Sequence, residues 1–200
     1  GGVRRRTREA VVLCEAAGYD RVLIETVGTG QNEFTVDRMT DLNVLLMIGG
    51  AGDDLQGIKR GIMEAADLIA LNKTDGANLE RHERAAKELG QAWPMLPARG
   101  QGQRPEVVLC AAQAGTGVEE IQDRLERMAK GLRTSGYLGR RRSEQDRWWM
   151  RATIEERLVS RFYSDPRVLQ GLKGLEEAVV NGTISPFDAA DELLRRSDRS

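Results

Sequence analysis

Histidine is nearly missing from these 200 residues: His82 is the only one, and the two cysteines, Cys14 and Cys110, lie far apart in separate VVLC runs. With no CxxC pair and no histidine beside a thiol, metal catalysis by histidine clusters is excluded, and both cysteines are expected to be small buried hydrophobes. His82 falls in LERHERAAKE, which is expected to be a solvated helix face. Net charge is missing as well. Lys plus Arg at 30 against Asp plus Glu at 31 leave a formal charge of -1, so no sequence-wide field recruits nucleic acid or an anionic membrane. No run of about 18 apolar residues occurs and the amino end has no apolar signal core, which fits a reducing, cytoplasm-like compartment. The chain opens at Gly1 without a methionine and in an Arg-rich helical register, so the expectation is a piece of something longer.

What is present is enough apolar content, 40%, for one ordinary core with a smaller helical appendage. Four short runs rich in β-branched residues, at 21–26 (RVLIET), 43–48 (NVLLMI), 68–72 (LIALN) and 106–110 (EVVLC), predict buried strands. Helical spacing over 7–17, 55–66, 77–89 and 118–130 alternates with them and predicts an α/β fold with a parallel sheet. Gly-rich turns or NKTDG follow each run, so four unusual loops meet at the carboxyl edge of the sheet, where open parallel sheets bind ligands. From about residue 131 the character changes: a polar basic connector (RTSGYLGRRRSEQ) leads to an amphipathic helix with Ile154, Leu158 and Phe162 at i, i+4 and i+8 behind Trp148 and Trp149. A last helix is announced by Ser185, Pro186 and Asp188. This arm either packs back on the sheet or forms a dimer surface.

Asn72, Lys73, Thr74 and Asp75 form NKxD directly after an apolar run. A carboxylate there can accept two hydrogen bonds from guanine, at N1–H and the exocyclic amine, a pair that adenine does not offer. Asn72 would tie neighbouring loops together, and the Lys73 stem would lie along the base. One strand further on, the small residues after Cys110, Ala111 and Ala112, would let backbone N–H groups approach guanine O6; a plain helix-start turn reads the same way. Glu25 closes the first run, where an acidic group can orient a magnesium-bound water beside phosphates or simply cap the turn, and Gly28 would present an unobstructed N–H. The loop from Gly49 to Gly61, with Asp53, Asp54 and Lys59 among its glycines, has the look of a switch, or of a flexible turn with an N-cap aspartate.

Together these stretches resemble the MeaB, MMAA and ArgK group of GTPases that accompany methylmalonyl-CoA mutase. The similarity is carried by GGVRRRTREAVVLCEAAGYDRVLIETVGTGQNE, GGAGDDLQGIKRGIMEAADLIALNKTD and SEQDRWWM, and runs from Gly1 to about Phe162. The resemblance implies a P-loop GTPase fold, with residues 1–132 a partial GTP-binding domain and 133–200 a helical dimerisation arm. It implies GTP or GDP and Mg2+ as cofactors, Glu25 as the catalytic carboxylate acting on magnesium through water with Gly28 beside it, and Asn72, Lys73, Asp75, Ala111, Ala112 and Gln113 as the guanine readers. A serine is usual in place of Ala111. Asp53, Gln56 and Lys59 would couple nucleotide state to the mutase, whose adenosylcobalamin delivery and protection such proteins gate. A homodimer is implied, located in the cytoplasm or, in a eukaryote, the mitochondrial matrix, without nucleic-acid or membrane partners.

One departure is large. No G-x-x-x-x-G-K-[ST] occurs in the sequence, so the backbone cradle, lysine and hydroxyl that hold phosphates and magnesium are not among these residues. The expectation is a GTPase as a longer parent and negligible hydrolysis by the 200-residue chain. Three other readings stay open: an interaction module that binds the mutase without turnover, a nickel- or zinc-inserting metallochaperone GTPase, and a kinase. The metallochaperone would need Cys and His at metal spacing, and nothing identifies an acceptor site for the kinase.

Overall fold

The computed structural model describes residues 2–26, 33–48, 65–75, 79–92 and 105–198. Gly28 and the loop bearing Asp53, Gln56 and Lys59 lie outside the described residues, as does most of the helix expected at 55–66. Two compact units are formed: Arg6–Asp146, and Arg147–Ser200 together with Gly1–Arg5. Among the described residues no helix is long and apolar enough to cross a membrane.

In the larger unit three of the four expected strands form: β1 (Val44–Ile48), β2 (Leu68–Asn72) and β3 (Glu106–Leu109). They make a parallel sheet in the order β1-β2-β3 with Val44 opposite Leu68 and Leu68 opposite Glu106. LIALN is apolar at every position but the last because the central strand is covered on both faces; Leu68, Ile69, Ala70 and Leu71 are all 0% exposed. Burying each of its three large side chains is worth about 1.5–3 kcal/mol. Ala66, Ile69 and Leu71 form the centre of the core, with Leu45, Met47, Ala86, Val107 and Leu109 packed around them. The parallel α/β class read from the sequence is therefore the observed one.

The expected first strand is not there. Residues 21–26 have no regular structure, and Leu23 is 95% exposed. A strand needs a neighbour to take up its backbone groups, and among the described residues none pairs with this run. Apolar, β-branched content supplied the propensity but not the partner.

Two helices precede the sheet, α1 (Gly2–Ala16) and the short α2 (Glu33–Asp37). After β2 comes α3 (Leu79–Ala92), whose Ala86 reaches the core. His82, one turn earlier on that face, is 0% exposed, which corrects the solvated position expected for it. Cys110 is buried as expected, whereas Cys14 on α1 is only half covered.

The basic connector is also helical. After β3, α4 (Val118–Thr134) and α5 (Tyr137–Tyr163) are separated only by the turn at Ser135 and Gly136, where Gly136 has φ 67°. The expected domain boundary after residue 132 thus falls inside α4. The Arg-rich stretch is held as helix by tertiary bonds that no local pattern shows. Arg141 Nη2 donates to Asp37 Oδ1 at 2.8 Å, and Gln145 Nε2 donates to the carbonyls of Asp37 at 3.0 Å and Thr40 at 2.9 Å. Asn43 extends this network, donating through its side chain to Asp37 and through its backbone to Asp67 Oδ2.

In the smaller unit, α6 (Pro166–Val180) starts at Asp165, whose side chain accepts from Arg167 N at 2.8 Å, with proline in the first turn. α7 (Pro186–Asp198) starts at the expected cap: Ser185 Oγ accepts from Asp188 N at 3.1 Å and donates to Asp188 Oδ2 at 2.7 Å. The Arg196 guanidinium of α7 occupies the space beside Gly171 that a Cβ would take.

Candidate functional site

The site is built where β2 and β3 end. Asn72 is the last residue of β2, and Lys73 to Asp75 follow it as irregular chain. Beside them β3 gives way to Cys110, and Ala111 pairs back with Thr116 to close a tight loop. The two chain ends are stitched together by their backbones: Cys110 N donates to Leu71 O at 2.8 Å and Thr74 N to Cys110 O at 3.2 Å.

The side chain of Asn72 joins the same two loops. Its Oδ1 accepts from Lys73 N at 2.8 Å and from Ala112 N at 3.0 Å, and the Cys110 Sγ lies 3.7 Å away. Lys73 takes up a left-handed conformation, φ 64°, the one non-glycine residue with positive φ among those described. Such a backbone costs about 1–2 kcal/mol and persists only where the surroundings hold it. Thr74 is buried beneath the loop, whereas Lys73 and Asp75 are exposed beside it. An ordered, charged rim over a fully buried strand results.

Within the second loop the donors are mostly committed. Ala111 N donates to Thr116 O, Ala112 N to Asn72 Oδ1, Ala114 N to Ala111 O and Gly115 N to Ala112 O. The Gln113 N–H has no backbone partner among the described residues, and Gln113 is exposed. This refines the expectation that Ala111 and Ala112 offer their N–H groups. Gly117 ends the loop at φ 75°; a Cβ there would stand 2.4 Å from Leu109 O, so only glycine lets α4 begin so close to β3. The sequence marks Thr74 only as part of NKxD, Cys110 only as a buried hydrophobe and Gly117 only within a Gly-rich turn, and gives none of them a role at the site. Of these, only Gly117, in a GTG just before a helix, left a readable signal.

Glu25 is exposed in the irregular run 21–26 rather than at a strand end. Among the described residues no three His, Cys, Asp or Glu side chains gather to hold a metal ion. Electrostatic perturbation lies elsewhere. Asp67, at the opposite end of β2, has its pKa pushed up to about 6 by burial, against the lowering effects of the Asn43 N–H and the Arg141 charge.

Comparison with known proteins places this geometry in a family. The sequence profile described as methylmalonyl-CoA mutase-associated GTPase MeaB matches residues 1–167. The mouse protein named methylmalonic aciduria type A homolog, mitochondrial, is 42% identical over 195 residues, covering 98% of this chain and 47% of that protein. The GTPase ArgK of Escherichia coli is 40% identical over 193 residues, 96% of this chain and 58% of its own length. The chain thus spans about half the length of the curated relatives it matches. A crystal structure of a LAO/AO transport system kinase superposes with a TM-score of 0.73 at 34% identity, covering 97% of this chain and 62% of that one. Profile, relatives and fold agree, and the chain belongs to the MeaB family of methylmalonyl-CoA mutase-associated GTPases.

Proposed function

We propose that this chain carries the guanine-reading edge of a GTP-binding, GTP-hydrolysing chaperone that serves methylmalonyl-CoA mutase or a related cobalamin-dependent mutase. The observation that carries the reading is the single acceptor Asn72 Oδ1, which binds the NKxD loop and the Ala111–Gly115 loop into one rim. On that rim the Asp75 carboxylate accepts from guanine N1–H and the exocyclic amine, and the Lys73 stem lies along the base. The Gln113 N–H supplies the O6 donor, with Ala111 and Ala112 giving the loop its small, close-packed shape. Adenine would leave these groups unpaired.

Catalysis is assigned to a longer protein. The sequence contains no G-x-x-x-x-G-K-[ST], and the chain alone is expected to turn over GTP at the buffer background in a single-turnover assay. Mg2+, when bound, supplies charge stabilisation at the phosphates; Glu25 and Gly28 are the residues assigned to that end of the site. Coupling to the mutase and to adenosylcobalamin delivery is assigned to Asp53, Gln56 and Lys59. The homodimer rests on α5, where Met150, Ile154 and Leu158 form an apolar stripe that is 56%, 50% and 61% exposed.

A base-exchange experiment tests the central role. In Asp75→Asn the amide offers a donor where guanine presents its own, so GDP affinity falls by about 10–100-fold, whereas xanthosine diphosphate, with a carbonyl in place of the amine, gains. Equal loss of both nucleotides would show that Asp75 does not read the base.

A further inference from the structure

Of the three groups around Asn72 Oδ1, two are backbone amides that any residue but proline would supply. The third is a side chain, the Cys110 thiol at 3.7 Å, a distance suited to the larger sulfur atom. Cys110 is 2% exposed, so its side chain lies behind the rim and not on its surface. Burial pushes its pKa up, so it keeps its proton and remains a donor. Its carbonyl also accepts from Thr74 N, so the residue holds the NKxD loop from both its main chain and its side chain.

We propose that Cys110 is a positioning residue for guanine recognition: by donating its thiol to Asn72 Oδ1 it fixes the amide that holds Lys73 in its left-handed conformation and Asp75 on the rim. This rests on the reading that the rim binds guanine. The role needs sulfur's reach as well as a donor. A serine hydroxyl at the same place sits on a shorter bond to Cβ and falls short of the acceptor, leaving a buried hydroxyl unpaired.

The test uses the 200-residue chain with Cys110→Val, which fills the space without a donor, and Cys110→Ala as a second variant. Two quantities are measured: amide hydrogen exchange in the absence of ligand, and guanosine affinity by NMR titration. Exchange at Lys73 and Ala112 rises by about three- to tenfold in both variants while Ile69 and Ala70 in the strand keep their protection, and guanosine affinity falls by a similar factor. Unchanged exchange at Lys73 and Ala112, or a uniform rise through β2 that marks mere loss of packing, overturns the proposal. If guanosine fails to bind even the unaltered chain, the guanine reading falls, and the exchange data still decide whether Cys110 orders the loop.

Discussion

Asp67 shows how one residue's surroundings set a measurable property. Its folded pKa of about 6 lies above the ordinary 3.8, so the folded chain binds this proton more tightly than the unfolded chain. The sign follows: its contribution is most favourable below about pH 4 and is lost as pH rises through 6, an effect of at most about 3 kcal/mol. Asp67→Asn keeps an acceptor for the Asn43 N–H and removes the buried charge. Urea denaturation of this variant is expected to show a flatter stability profile between pH 4 and 6 and higher stability at pH 7; lower stability at pH 7 would contradict the assignment. Gly117 makes the steric counterpart. Gly117→Ala adds the strain of a left-handed backbone to a clash with Leu109 O, and thermal unfolding should report a loss of about 2–4 kcal/mol.

Among elements, α5 separates a buried anchor from a surface one. Arg141 and its partner Asp37 have side chains 11% and 26% exposed, whereas Arg142, paired with Glu15 and Asp41, is far more open. Arg141→Ala removes the cation from the part-buried Asp37 carboxylate, to which Asn43 still donates, and is expected to cost about 1–3 kcal/mol in chemical denaturation; Arg142→Ala is expected to cost less than about 1. Equal effects would show that the network around Asp37 is incidental. The same helix explains what was legible. β2, α4 and α7 announce themselves because their signals are local: an unbroken apolar run, helical spacing, a Ser-Pro-x-Asp cap. Residues 21–26 carry strand propensity without a neighbour, and RTSGYLGRRRSEQ reads as a connector because its partners, Asp37, Thr40 and Asp41, lie about a hundred residues back. At the site, NKxD and its loop position were readable from strand and turn order. The commitment of the Ala111 and Ala112 N–H groups depends on Thr116 and Asn72 in three dimensions and could not be read along the chain.

For the whole molecule, the exposed stripe on α5 predicts self-association. Leu158→Lys places a charge in it and should shift sedimentation at tens of micromolar from dimer to monomer; an unaltered chain that is already monomeric would remove the dimer assignment. The central claim, that the rim at the ends of β2 and β3 selects guanine, is tested most directly by titrating the isotope-labelled chain with guanosine and, separately, adenosine. Guanosine is expected to shift the amides of Lys73, Asp75 and Gln113 while adenosine leaves them in place. Equal shifts with both nucleosides, or none with either, would contradict it.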